Sequence, residues 1–103
     1  MKITMYGAEI CSDCVVLKAA LQKRNDIEVD YRNITESTKN MREFLAYRDQ
    51  ETLFDQIKKE GRIGIPFFIL EDGTKTLDIE AFIQLEKVEK PVNAGSLDGK
   101  GNC

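Results

Sequence analysis

Two cysteines, Cys11 and Cys14, stand a helical turn apart in MYGAEICSDCVVLKAAL, and a third follows only at Cys103. A Cys-x-x-Cys pair can be a redox couple, half of a metal site, or two thiols packed as small hydrophobes. The chain has no histidine, which removes a His general base and a His metal ligand. A mononuclear zinc site needs about four ligands, more than these cysteines supply. An iron–sulfur cluster shared between two chains, with glutathione or Cys103 completing the ligands, stays open.

The local pattern favours redox chemistry. Turn-like residues precede Cys11 and a helical run follows it, so Cys11 is expected just ahead of a helix that starts at Ser12. Unpaired amides at a helix N-terminus carry partial positive charge and stabilise an anion. A thiolate is such an anion, and its ordinary pKa of about 8.5 falls when it sits there. Cys11 would then attack a substrate disulfide, and Cys14, one turn in, would act as the resolving thiol. Asp13 between them is a carboxylate that opposes thiolate formation, so a moderate depression is expected and a reducing pair rather than a strong oxidant.

Positioning that pair requires a strand before it and a helix after it. KITMYG reads as a short strand closed by Gly7, and Ser12 to about Arg24 as a helix with Val15, Val16, Leu17, Ala20 and Leu21 on its apolar face. IEVDYRN alternates as a second strand, parallel to the first through a right-handed crossover. Ser37 caps a helix to about Arg48, and Thr52 with Asp55 resembles a capping box opening a shorter helix that Gly61 stops. IPFFIL reads as a strand buried on both faces, Asp72-Gly73 as a hairpin turn, and KTLD as the returning strand. Asp78 would cap a last helix with Ile79, Phe82, Ile83 and Val88 inward. The expected class is α/β: a small four-stranded mixed sheet with helices on both faces, in the order β-α-β-α-(α)-β-β-α.

At 103 residues the chain suits one core, with a domain over 1–90 and a Gly-rich tail over 91–103 that carries Cys103. The net charge of −3 is spread over interspersed acids and bases, so no phosphate-tracking surface is indicated and nucleic acid is not an expected partner. No apolar run approaches the ~20 residues of a membrane span, and the N-terminus lacks a signal-peptide core. A cytoplasmic protein, acting as a monomer away from membranes, is therefore expected. An odd, small number of cysteines in that reducing compartment argues against a structural disulfide framework.

The combination of strand, Cys-x-x-Cys, helix, and GIPFF before a hairpin resembles glutaredoxin-related proteins of the thioredoxin superfamily over roughly residues 1–90. The resemblance implies a thioredoxin-like fold and reduction of protein disulfides or glutathione mixed disulfides. It implies no tightly bound cofactor, with glutathione as a candidate reductant. It also implies that Ile65-Pro66 matches the family's substrate-docking pair with its cis-proline, and that Asp78 matches the aspartate that holds the γ-glutamyl end of glutathione. The chain departs from the pattern in three places. Ala8 stands where a lysine is common, Lys75-Thr76-Leu77 replaces a Gly-Gly pair, and Ser12-Asp13 replaces Pro and an aromatic residue. Lys75 is the candidate replacement charge. Two other classes compete: a redox-sensing module like the arsenate-reductase-like regulators, with Arg32 and Arg62 as anion-binding candidates by charge alone, and the metal- or cluster-binding adaptor.

Titration of the Cys11 thiolate absorbance in a Cys14→Ser variant should give a pKa moderately below about 8.5; a value under about 4.5 would contradict the weakening assigned to Asp13.

Overall fold

A computed structural model describes residues 1–85. The proposed boundary at residue 90, Val88 and Cys103 lie outside the described residues. Four strands, β1 (Lys2–Gly7), β2 (Glu28–Asn33), β3 (Phe67–Ile69) and β4 (Lys75–Thr76), form one mixed sheet in the order β2-β1-β3-β4. β1 and β2 are parallel, with Met5 opposite Tyr31 and Tyr6 opposite Arg32. β1 and β3 are antiparallel, as are β3 and β4.

Strand parity assigns the helices to opposite faces. On the Ile3, Met5 and Gly7 face lies α1 (Ser12–Gln22), whose Cys14 touches Gly7 and whose Lys18 covers the Tyr31 ring. On the Tyr6 face lies α2 (Thr38–Gln50), which brings Phe44 and Tyr47 against Tyr6 and Phe67. Phe54, from the 3₁₀ turn Thr52–Phe54 that leads into α3 (Asp55–Lys59), closes this aromatic cluster 5.0 Å from Phe67, centroid to centroid. Tyr6, Phe44, Phe54 and Phe67 are all fully buried.

Several local expectations hold for the reasons given. The Ser37 hydroxyl accepts the Asn40 amide at 3.1 Å and starts α2. The Asp72 carboxylate accepts the Thr74 amide at 2.9 Å, and Leu70 and Thr74 close the hairpin through Gly73 at φ 92°. Three expectations need correction. α1 stops at Gln22 with Lys23 as its C-cap, short of Arg24, whose side chain pairs with Asp26 and donates to the Gln84 carbonyl. Thr52 and Asp55 form no capping box: Thr52 begins the 3₁₀ turn and no side chain caps either short helix. Within the described residues the last helix is a single 3₁₀ turn, Ile79–Ala81. The Asp78 side chain makes no cap hydrogen bond there, and helix nucleation without a cap is costly. Ile79 and Ile83 still bury, while Phe82 is 53% exposed.

Across the α2 face Glu43 gathers three partners: Lys39 at 2.7 Å, Arg32 at 2.9 Å and the Tyr6 hydroxyl at 3.1 Å. Lys39 foremost, then Arg32 and Tyr6, hold its carboxyl down to about 2. The depressed carboxyl contributes stability that is complete above its unfolded pKa of about 4.5 and disappears as pH falls toward about 2. The urea midpoint of the native protein should therefore fall more between about pH 5 and about pH 3 than that of Glu43→Gln, which has no such charge to lose.

Candidate functional site

β1 delivers the chain to Gly7, after which buried Ala8 and exposed Glu9 and Ile10 turn it into Cys11. The Cys11 amide donates to the Ala8 carbonyl at 3.1 Å, closing the turn. Cys11 occupies the N-cap of α1 in extended conformation, and its Sγ accepts the Cys14 amide at 3.4 Å. A cysteine thus fills the place usually taken by Ser, Thr, Asp or Asn, with its sulfur at the positive end of the helix. Cys11 is disulfide-bonded, whereas Cys14 is a free thiol, so the two are not joined to each other.

Cys14 is fully buried, and the reason lies in Gly7. A Cβ on Gly7 would come within 2.9 Å of Cys14 Sγ, 3.2 Å of Cys14 Cβ and 3.3 Å of the Tyr31 ring. Only a bare backbone lets α1 sit this close to the end of β1. Burial pushes the Cys14 thiol up to about 11; the Ala8 backbone opposes this, and the Asp13 and Glu9 carboxylates add to it.

Glu9 braces the turn from outside. Its carboxylate accepts the Tyr31 hydroxyl at 2.8 Å and Lys18 Nζ at 3.0 Å, and that ammonium lies 4.3 Å from the Tyr31 ring centroid. The Tyr31 hydrogen bond first, then Lys18, lower the Glu9 carboxyl, while burial and Glu9 raise the Tyr31 phenol. Sequence inspection did not single out this triangle, because its members come from a turn, a helix and a strand.

The second half of the site comes from the antiparallel neighbour. Phe67 pairs with Tyr6, so Ile65 and Pro66 lie beyond the N-terminal end of β3, alongside the turn that leaves β1. The Ile65–Pro66 peptide is cis, and both residues are buried. Continuing the β3–β4 register, in which Phe68 faces Thr76, sets exposed Asp78 beside Pro66 at the same end of the sheet. Lys75 pairs with Ile69 instead, three residues or roughly 10 Å down the strand. The fold therefore brings Cys11, Cys14, Ile65, Pro66 and Asp78 to one end and leaves Lys75 toward the other. Arg32 is committed to Asp30, Glu43 and Tyr6, and Arg62 pairs with Glu60 at 3.1 Å.

The segment before the proline is held by Arg48 of α2, whose Nε donates to the Ile63 carbonyl at 2.7 Å and whose Nη2 donates to the Arg62 carbonyl. Gly64 follows at φ 100°, where a Cβ would also meet the Phe54 ring at 2.8 Å. Among the described residues, no group of three or more Cys, Asp or Glu is placed to hold a metal ion. None of the described helices is long and apolar enough to cross a membrane. Gly64→Ala should cost about 2 kcal/mol or more, since left-handed backbone and overpacking each cost ~1–3 kcal/mol. Gly61→Ala, left-handed at φ 72° but with open space around it, should cost less by the packing part. Paired urea unfolding of the two variants measures the difference.

No family model matches the chain, and no solved structure matches it significantly. An uncharacterized protein of Haemophilus influenzae is 33% identical over 78 residues, a stretch spanning 76% of this chain and 90% of that protein. With identity over that extent, the chain belongs to the same protein family as this Haemophilus influenzae protein.

Proposed function

We propose that the chain is a thiol–disulfide oxidoreductase with a thioredoxin-like, glutaredoxin-related fold, and that Cys11 is its nucleophile. The observation that carries this reading is the Cys11 sulfur at the N-cap of α1, accepting the Cys14 amide while itself engaged in a disulfide. A sulfur so placed is stabilised whenever it bears charge, both as the attacking thiolate and as the leaving group when its disulfide opens. Helix-terminus effects of this kind are worth ~0.3–1 kcal/mol, more when partly buried. The strand order β2-β1-β3-β4, with a helix on each face, supports the thioredoxin-like assignment.

In the forward half-reaction, the Cys11 thiolate attacks one sulfur of a substrate disulfide, forming a mixed disulfide and expelling a thiolate. Ile65 and Pro66 border the turn beside Cys11 with their side chains buried, so they offer backbone rather than side chain to a docking substrate. Pro66 has no N–H, which leaves Ile65 to supply main-chain pairing there. Of the charges expected to hold glutathione, Asp78 is at this end and Lys75 is not. Protein disulfides are thus better served as substrates than glutathione conjugates, with glutathione as the cytoplasmic reductant and no resident cofactor. Reduction of insulin and of a glutathionylated peptide measures this directly. The native protein should turn over at least one of them and Cys11→Ser neither; equal rates for the two proteins would refute the reading.

A further inference from the structure

The segment that carries Ile65 and Pro66 reaches its place under the control of one side chain of α2. β3 begins at Phe67, so the chain from Arg62 to Pro66 approaches the site outside the ladder of the sheet. Arg48, in the last turn of α2, spans this approach. Its Nε donates to the Ile63 carbonyl at 2.7 Å and its Nη2 to the Arg62 carbonyl. We propose that Arg48 is a positioning residue for substrate docking: by holding these two carbonyls it sets where the Ile65 main chain meets the polypeptide around a client's disulfide. The proposal rests on the reading of Cys11 as nucleophile and of Ile65-Pro66 as the docking edge.

Three observations carry it. The first is how the guanidinium is used. Arg24, Arg32 and Arg62 each take a carboxylate, at 2.7, 2.9 and 3.1 Å. Arg48 instead puts two donors on successive carbonyls of one segment. That task suits a planar fork with donors at fixed angles, which the single ammonium of a lysine does not match. The second is the support under Arg48. Its neighbour Tyr47, together with Phe44, packs on Tyr6 and Phe67 with ring centroids 5.4 to 6.3 Å apart. The helix is therefore registered against β1 and β3, the strands that lead to Cys11 and away from Pro66. The third is the wall behind the segment. A Cβ on Gly64 would meet the Phe54 ring at 2.8 Å and Ile57 Cγ2 at 3.2 Å. The chain thus runs between a polar clamp and an apolar wall, and Ile65 follows the clamped Ile63 carbonyl by about 7 Å of chain.

The consequence is selective. Loosening this segment moves the Ile65 N–H and C=O, and so affects substrates that pair through main chain. Cys11 is placed separately, by the approach of Cys14 to Gly7 and by the Cys14 amide on its Sγ. Misplacement of a docking group by about 1 Å can slow a reaction by a large factor even when the reacting atom is intact.

The test compares two symmetrical disulfides reacting with the reduced full-length protein. One is a short uncharged peptide dimerised through its cysteine; the other is bis(2-hydroxyethyl) disulfide, which has no main chain. In each reaction the Cys11 thiolate forms one mixed disulfide and expels one thiolate, which takes up a proton. Peptide mapping places the adduct, and the second-order rate is read. Arg48→Met keeps the apolar stem without donors. It should slow the peptide disulfide about tenfold, a factor equivalent to one charge-assisted hydrogen bond, and leave the hydroxyethyl disulfide within about twofold of native. Arg48→Lys should slow the peptide disulfide by a smaller factor with the same sparing of the other. It carries the comparison if the urea midpoint shows that Arg48→Met does not fold. Equal slowing of both disulfides, or an unchanged peptide rate in the folded variant, would overturn the proposal. The underlying reading fails separately. If Cys11→Ser reacts with the peptide disulfide at the native rate, both fall; if Cys11→Ser is inert while the Arg48 variants match the native protein, only the role of Arg48 falls.

Discussion

The contact between Cys14 and the backbone of Gly7 seats the whole site. It fixes how near the first helix comes to the end of the central strand, and that distance decides where the Cys11 sulfur sits relative to the free amides. The same contact makes the two cysteines unlike. One caps the helix from its outer end, and the other is sealed between helix and sheet, where charge is disfavoured. A single glycine thereby separates two thiols that the sequence presents as a pair.

The opposite face of the sheet is covered by aromatic packing. Tyr6, Phe44, Tyr47, Phe54 and Phe67 pack together across the α2 side, with Phe54 edge-on to Phe44 and Phe67 and Tyr6 stacked on Phe67, and Tyr6 and Phe67 are themselves the strand residues next to Gly7 and to Pro66. α2 also reaches past this cluster, since Arg48 takes two carbonyls of the segment that enters Ile65-Pro66. Ile65-Pro66 and Cys11 are thus anchored from different faces of one sheet. Such division holds the spacing between the two segments from both sides.

Much of this was legible from residue order. The period-two alternation of IEVDYRN, the Ser37 cap, Asp72-Gly73 and the spacing of Cys11 from Cys14 each act through neighbours close in the chain, so the elements they announce are present. What escaped depends on partners far apart in sequence. The Glu9–Lys18–Tyr31 triangle and the Arg48 clamp join residues from separate elements, and no periodicity marks them. Asp78 shows the converse failure. A helix-capping residue in front of an apolar stripe reads as a helix start, yet its carboxylate stays exposed without a cap bond and the chain makes one tight turn.

The two rims of the sheet carry a consequence for how large partners can approach. One rim is β2, whose Glu28, Asp30 and Arg32 put charges along it; the other is β4, only two residues long and beginning with Lys75. Charged or stunted borders of this kind discourage another polypeptide from adding itself as an extra ribbon. Any other chain is therefore steered away from lateral annexation and toward an end-on approach, where the Cys11 sulfur is.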